Sequence, residues 1–231
     1  MDIKNKIVLI TGGSRGIGKA TAKSFAIEGA RVIICSRNKT ELDKTCNEII
    51  KEGGDCTGIE CDIRNSADVK NLVQKTVDKF NQIDLLINNA GAGYYKPVTE
   101  TTEEEWDQTI DTNLKGIFLT CREAIDYMKK NSMIINISSG AGKHGFPNFA
   151  AYCASKFGVI GFTESIAGEL PFIKVYALCF GPVNTKLFRD ALKYSPPAQP
   201  EEMAHIIIDL CKREFLKSGE ALEVHETTPN I

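Results

Sequence analysis

Short apolar runs alternate with charged stretches of helical length along the whole chain. KIVLIT (6–11) is an apolar run closed by glycines, the pattern of a strand buried on both faces of a parallel sheet. RVIICS (31–36) repeats it. Cys56 to Cys61, Ile83 to Asn88, Met133 to Ser138 and Lys174 to Cys179 continue the series, and Ala221 to Val224 adds a last strand. This rhythm predicts an α/β fold: one doubly wound parallel sheet of about seven strands, with helices on both faces, spanning 1–231 as a single domain. In such a sheet a ligand sits in the crevice at the carboxyl ends of the strands.

Two helices are predicted to be long. The first starts at Thr102, where Thr102-x-x-Glu105 forms a capping box, and runs to about 130. Its stripe is Trp106, Ile110, Leu114, Ile117, Cys121, Ile125 and Met128, in steps of three and four. The second runs from about Asn148 to Leu170.

Composition narrows the function. The formal net charge of -2 gives no field favouring nucleic acid or a membrane surface. No apolar run approaches the ~18 residues of a membrane span, and the apolar part of MDIKNKIVLI is too short for a signal peptide. A cytoplasmic protein is expected. The eight cysteines form no CxxC pair and the three histidines do not cluster with them. Buried free thiols are the expectation and no metal site is assigned, with a metal or disulfide framework as the alternative.

TGGSRGIG (11–18) falls where strand one meets helix one. Glycines let the backbone turn tightly and approach a phosphate, and the following helix aims its free N–H groups at it. GxGxxG fails because Thr21 stands at the third glycine. G-x4-G-K-[ST] nearly fits at Gly13 to Ala20, but Ala20 lacks the hydroxyl that would hold Mg²⁺. A phosphate-handling NTPase is thus an alternative on this segment alone. After strand two, an acidic residue would bond the ribose 2′-OH of NAD. Ser36 and Arg37 stand there instead, and with Arg15 they suit a 2′-phosphate, so NADP(H) is expected over NAD(H).

AAYCASKFG (150–158) puts Tyr152 and Lys156 four apart on one helix face. A free phenol has a pKa of ~10, and a nearby ammonium can lower it into a useful range. The pair alone is a weak signal. MIINISSGAG (133–142) adds serines near the carboxyl edge of the sheet, where a hydroxyl can donate to a carbonyl oxygen gaining negative charge.

With these segments in place, the chain resembles the short-chain dehydrogenase/reductase family from Lys6 to about Val224. TGGSRGIG matches the family's TGxxxGxG loop, NNAG (88–91) its motif after strand four, and Tyr152-x-x-x-Lys156 its active-site pair. Ser139 lies thirteen residues before Tyr152, the family's spacing, and is preferred to Ser138. The resemblance implies a single-domain Rossmann-like catalytic fold and a carbonyl–alcohol interconversion by hydride transfer, as in 3-oxoacyl-carrier-protein reductases. A non-catalytic dinucleotide-binding regulator of the same fold is the alternative.

It further implies roles. Tyr152 would exchange the proton, Lys156 would lower its pKa and bind the nicotinamide ribose, and Ser139 would hold the substrate oxygen. Asn113 would support a water relay. Gly12, Ser14, Arg15, Gly16, Ile17 and Gly18 would bind the cofactor, with Ser36 and Arg37 beyond them. Asp62, Ile63, Asn89, Ala90 and Gly91 would follow the adenosine and ribose, and Gly181, Val183 and Thr185 the carboxamide end. CFGPVNT (179–185) departs from the family's N-P-G-x-V-x-T at Cys179 and Phe180, and EVHETTPNI lacks its V-D-G-G ending. A small carbonyl or alcohol substrate would lie among Leu187, Phe188, Leu192 and Tyr194 on one side and Tyr94, Tyr95, His144 and Phe146 on the other. A homodimer or homotetramer through 102–130 and 148–170 is implied.

Overall fold

The computed structural model describes residues 1–224, without the side chain of Leu192. Seven strands form one parallel sheet: β1 (Ile7–Thr11), β2 (Arg31–Ser36), β3 (Asp55–Glu60), β4 (Ile83–Asn88), β5 (Met128–Ser139), β6 (Lys174–Phe180) and β7 (Ala221–Val224). Their spatial order is β3-β2-β1-β4-β5-β6-β7, so the winding reverses between β1 and β4. That reversal opens a crevice at the carboxyl ends of these two strands.

Side chains alternate across the sheet, which is why the strands read as unbroken apolar runs. Val8 and Ile10 face one core with Ala22 and Phe25 of α1 (Gly16–Ile27) and Leu42 and Ile49 of α2 (Lys39–Lys51). Ile7 and Leu9 face the other, with Val69 and Leu72 of α3 (Ser66–Phe80). All eight cysteines are buried and unbridged, as the sequence suggested.

The first long helix departs from expectation. It divides into α4 (Glu103–Ile110), a π-helical turn (Asp111–Lys115) and α5 (Gly116–Ala124), then ends in a 3-10 turn at Ile125–Tyr127. The capping box is present: Thr102 Oγ1 accepts from Glu105 N at 3.2 Å, and Glu105 Oε2 accepts from Thr102 N at 3.1 Å. The π turn adds a residue to the ladder and shifts the stripe. Thr109, Thr112, Asn113, Ile117 and Cys121 are buried, whereas Trp106 is 40% exposed. Met128 belongs to β5 instead, paired with Ile83 before the register shifts, and Asn131 takes a left-handed φ of 69° there. An apolar residue at helical spacing is equally a strand residue at the sheet's amino edge.

Three helices complete the fold: α6 (Ala150–Glu169), α7 (Lys186–Leu192) and α8 (Pro200–Arg213). A buried polar chain ties α5 and α6 to the sheet. Thr120 Oγ1 donates to Asn88 Oδ1 at 2.6 Å, Asn88 Nδ2 to Asn136 Oδ1 at 2.9 Å, and Asn136 Nδ2 to Thr163 Oγ1 at 2.9 Å. Fully satisfied, such a network fixes helix against strand. Thr163 is two turns after Lys156 on α6, so the same network sets the height of Lys156 above the sheet.

Candidate active site

A cavity of about 1210 Å³ occupies the crevice. One end is the glycine loop. Gly12 and Gly16 take φ values of 67° and 55°, which disfavour any side chain. A Cβ on Gly12 would lie 2.8 Å from Ala90 Cα, and one on Gly18 would lie 2.4 Å from Asn89 Nδ2 and Gly12 O. The loop is pressed onto β4's exit, and Asn89 Nδ2 donates to Thr11 O at 2.9 Å to hold it there. Arg15 is the N-cap of α1 but supplies no side-chain cap, so the first-turn N–H groups are left for an anion. This cradle fits a dinucleotide's pyrophosphate.

Ser14, Arg15, Gly16 and Ile17 line this end, with Ser36 and Arg37 at the tip of β2. The Arg15 guanidinium lies 3.8 Å from Glu41, a carboxylate the sequence reading overlooked. Asp62 and Ile63 line the floor beside Cys35 and Cys61. Arg64 grips the Asp62 carboxylate, at 2.6 Å from Nη2, and holds its pKa below the ordinary value.

Tyr152, Lys156 and Ser139 line the same cavity, as do Asn89, Ala90, Gly91, Gly181, Val183 and Thr185, of which Thr185 reaches the glycine loop, its Cγ2 3.3 Å from a Cβ placed on Gly16. The two serines divide their tasks. Ser138 Oγ donates to Lys156 O at 3.0 Å and is spent on the scaffold. Ser139 Oγ accepts from Ala141 N at 3.2 Å and acts on the Tyr152 phenol to lower its pKa against burial. Lys156 Nζ donates to Ile137 O at 2.8 Å and lies 5.6 Å from the centre of the Tyr152 ring.

Burial, rather than Lys156, is the largest influence on the phenol. Burial pushes Tyr152 up to about 12, opposed by the Ser139 hydrogen bond, and burial pulls Lys156 down to about 8. Desolvation disfavours both charged forms.

Gly18 and Asn113 do not line the cavity. Gly18 packs beneath the loop. Asn113, in the π turn, is fully buried, and its amide is fully engaged. Its Oδ1 accepts from Ala92 N at 2.8 Å, and its Nδ2 donates to Ala92 O and to Ser155 Oγ, each at 2.9 Å. Its side chain therefore staples the loop after β4 to α6. The neighbouring Thr112 lines the cavity with a buried, unpartnered Oγ1.

The substrate end is partly as expected. Tyr95, His144, Phe146, Leu187 and Phe188 line it. Tyr94 does not; its hydroxyl is bonded to Gln108. Tyr194 packs behind Phe188, with ring centres 6.4 Å apart. Leu192's side chain lies outside the described residues, as does the tail from 225 to 231. Phe180 continues β6 and is buried where the family has proline, and Gly181 N still donates to Val224 O at 3.4 Å. The sequence reading missed Phe149 and Glu223, which also line the cavity. Phe149's position three residues before Tyr152 is the signal that could have found it.

Residues 6–194 match the family model described as short chain dehydrogenase. The chain belongs to the short-chain dehydrogenase/reductase family. This is a family of oxidoreductases that bind a nicotinamide dinucleotide. The chain is 38% identical over 216 residues to a 3-oxoacyl-[acyl-carrier-protein] reductase from Synechocystis sp., covering 87% of each. It is 37% identical over 229 residues to the same-named FabG enzyme of Thermotoga maritima, covering 93% of each. Among solved structures, an actinorhodin polyketide ketoreductase variant with NADPH superposes with a TM-score of 0.86 at 30% identity, covering 95% of each chain. The glycine cradle and crevice thus belong to a short-chain dehydrogenase/reductase fold. Among the described residues no helix is long and apolar enough to cross a membrane.

Proposed function

We propose that this protein is an NADP(H)-dependent reductase that interconverts a carbonyl and a secondary alcohol, with 3-oxoacyl thioesters or ketones as its substrates. The observation that carries this reading is continuity: one cavity runs from the glycine loop to the Tyr152 phenol. A bound nicotinamide dinucleotide supplies or accepts the hydride. Gly12, Ser14, Gly16 and Ile17 hold its pyrophosphate, and Ser36, Arg15 and Arg37 face its 2′-phosphate. Tyr152 hands a proton to the substrate oxygen in reduction and takes it back in oxidation. Ser139, which lines the cavity with the phenol, positions that oxygen. Lys156, buried and bonded to Ile137 O, binds the nicotinamide ribose. Gly181, Val183 and Thr185 close over the carboxamide.

The thioester class is supported by the names of the bacterial relatives and by an NADPH-bearing ketoreductase neighbour. Self-association through α4, α5 and α6 is supported by three exposed rings, Trp106, Phe118 and Phe157. The test is a panel of 3-oxoacyl thioesters and simple ketones, followed by loss of NADPH absorbance. Turnover of at least one class is expected. Tight NADPH binding with no turnover of any carbonyl would favour the dinucleotide-binding regulator.

A further inference from the structure

The Tyr152 ring is packed by two residues that no motif marks. Phe149, just before α6, lies nearly parallel to it, with ring centres 4.6 Å apart and planes 24° apart. Phe149 is buried and takes Tyr95 edge-on, with centres 5.6 Å apart at 75°. Gly93 comes from the loop after β4. A Cβ there would lie 2.8 Å from Tyr152 Cδ2 and 3.5 Å from Cγ, so any side chain would displace the ring.

Both residues are anchored. Ala92, before Gly93, is held through its N–H and its carbonyl by the Asn113 side chain. Lys96 N donates to Asn148 O at 2.8 Å, which joins this loop to the turn before α6. Asn148 takes a left-handed φ of 63° to deliver Phe149. A flat ring laid on another flat ring, with backbone against its edge, has little freedom to tilt. Productive proton transfer needs the donor held within roughly 0.5 Å of its place.

We infer that Phe149 and Gly93 are positioning residues that fix the Tyr152 phenol in the cavity. This rests on Tyr152 being the proton donor. Phe149→Leu keeps apolar bulk but loses the flat face, and Phe149→Tyr keeps the face. Gly93→Ala pushes the ring directly. Each is compared with the parent and with Tyr152→Phe for kcat, KM, dinucleotide Kd and the pH profile of reduction.

Phe149→Leu and Gly93→Ala are expected to lower kcat by about tenfold or more, since a 1 Å misplacement can cost ~100-fold. Dinucleotide Kd and KM stay near the parent values. Water reaching the loosened phenol moves the alkaline limb of the Phe149→Leu profile to lower pH. Phe149→Tyr restores both kcat and the limb. The inference is overturned if Phe149→Leu and Gly93→Ala keep parental kcat and limb, or if dinucleotide Kd worsens by the same factor as kcat. Activity surviving in Tyr152→Phe would instead remove the proton-donor assignment, a result separable from either.

Discussion

The Lys156 ammonium donates to the Ile137 carbonyl at 2.8 Å, two residues before Ser139 on the same strand. One strand edge thus sets both the cation and the hydroxyl. Burial lowers Lys156 from 10.5 to about 8. Between these values the unfolded chain binds more proton than the folded one, so stability rises with pH across that window. Below about 8 both states are charged and the full penalty of the buried ammonium is present.

Replacing Lys156 with Met should remove this dependence. Urea midpoints of the ligand-free protein, taken from pH 7 to 9.5, should climb for the parent relative to Lys156→Met. Parallel curves would mean that the ammonium is not held against its solvation. Measurement stops below pH 10 because Tyr152, raised to about 12, pulls the other way once the unfolded phenol ionises.

Asn113 should matter for stability as well as for turnover. Asn113→Ala leaves the half-buried Ala92 N and O without their partner. An unsatisfied buried group costs ~1–3 kcal/mol and water reaches half-buried groups in part, so a loss of about 1–3 kcal/mol is expected in equilibrium unfolding. A loss below about 0.5 kcal/mol would show that the loop is not stapled by this amide.

Much of this was legible in the chain. The seven strands followed from runs that alternate with charged periodic stretches, because a strand covered on both faces has no polar side. The glycine loop was legible because Gly12 and Gly16 must accept positive φ. Met128 was misread, since one apolar residue satisfies helix and strand spacing equally. Spacing along a helix gives proximity but not direction, so the bond from Lys156 to Ile137 O could not be read from the chain. Gly93 could not be read from motifs, because its contact with the Tyr152 ring joins segments distant in sequence, whereas Phe149 lies three residues before Tyr152 and was within reach of the sequence.

The proposed preference for NADP(H) rests on Arg37. If Arg37 faces the 2′-phosphate as proposed, Arg37→Asp puts an anion there, and NADPH should weaken at least ~tenfold, or about 1.4 kcal/mol, while NADH binds as well or better. Titration of both dinucleotides by fluorescence reads the difference. Equal weakening of both would assign Arg37 to the scaffold.

The most direct test of the whole account is a paired measurement on Tyr152→Phe: the rate of carbonyl reduction and the Kd for NADPH. General acid catalysis contributes ~10²–10⁴-fold, so the rate should fall by at least about a hundredfold with Kd within about threefold of the parent. Reduction at a near-parental rate with NADPH still bound would contradict the assignment of the proton to this phenol.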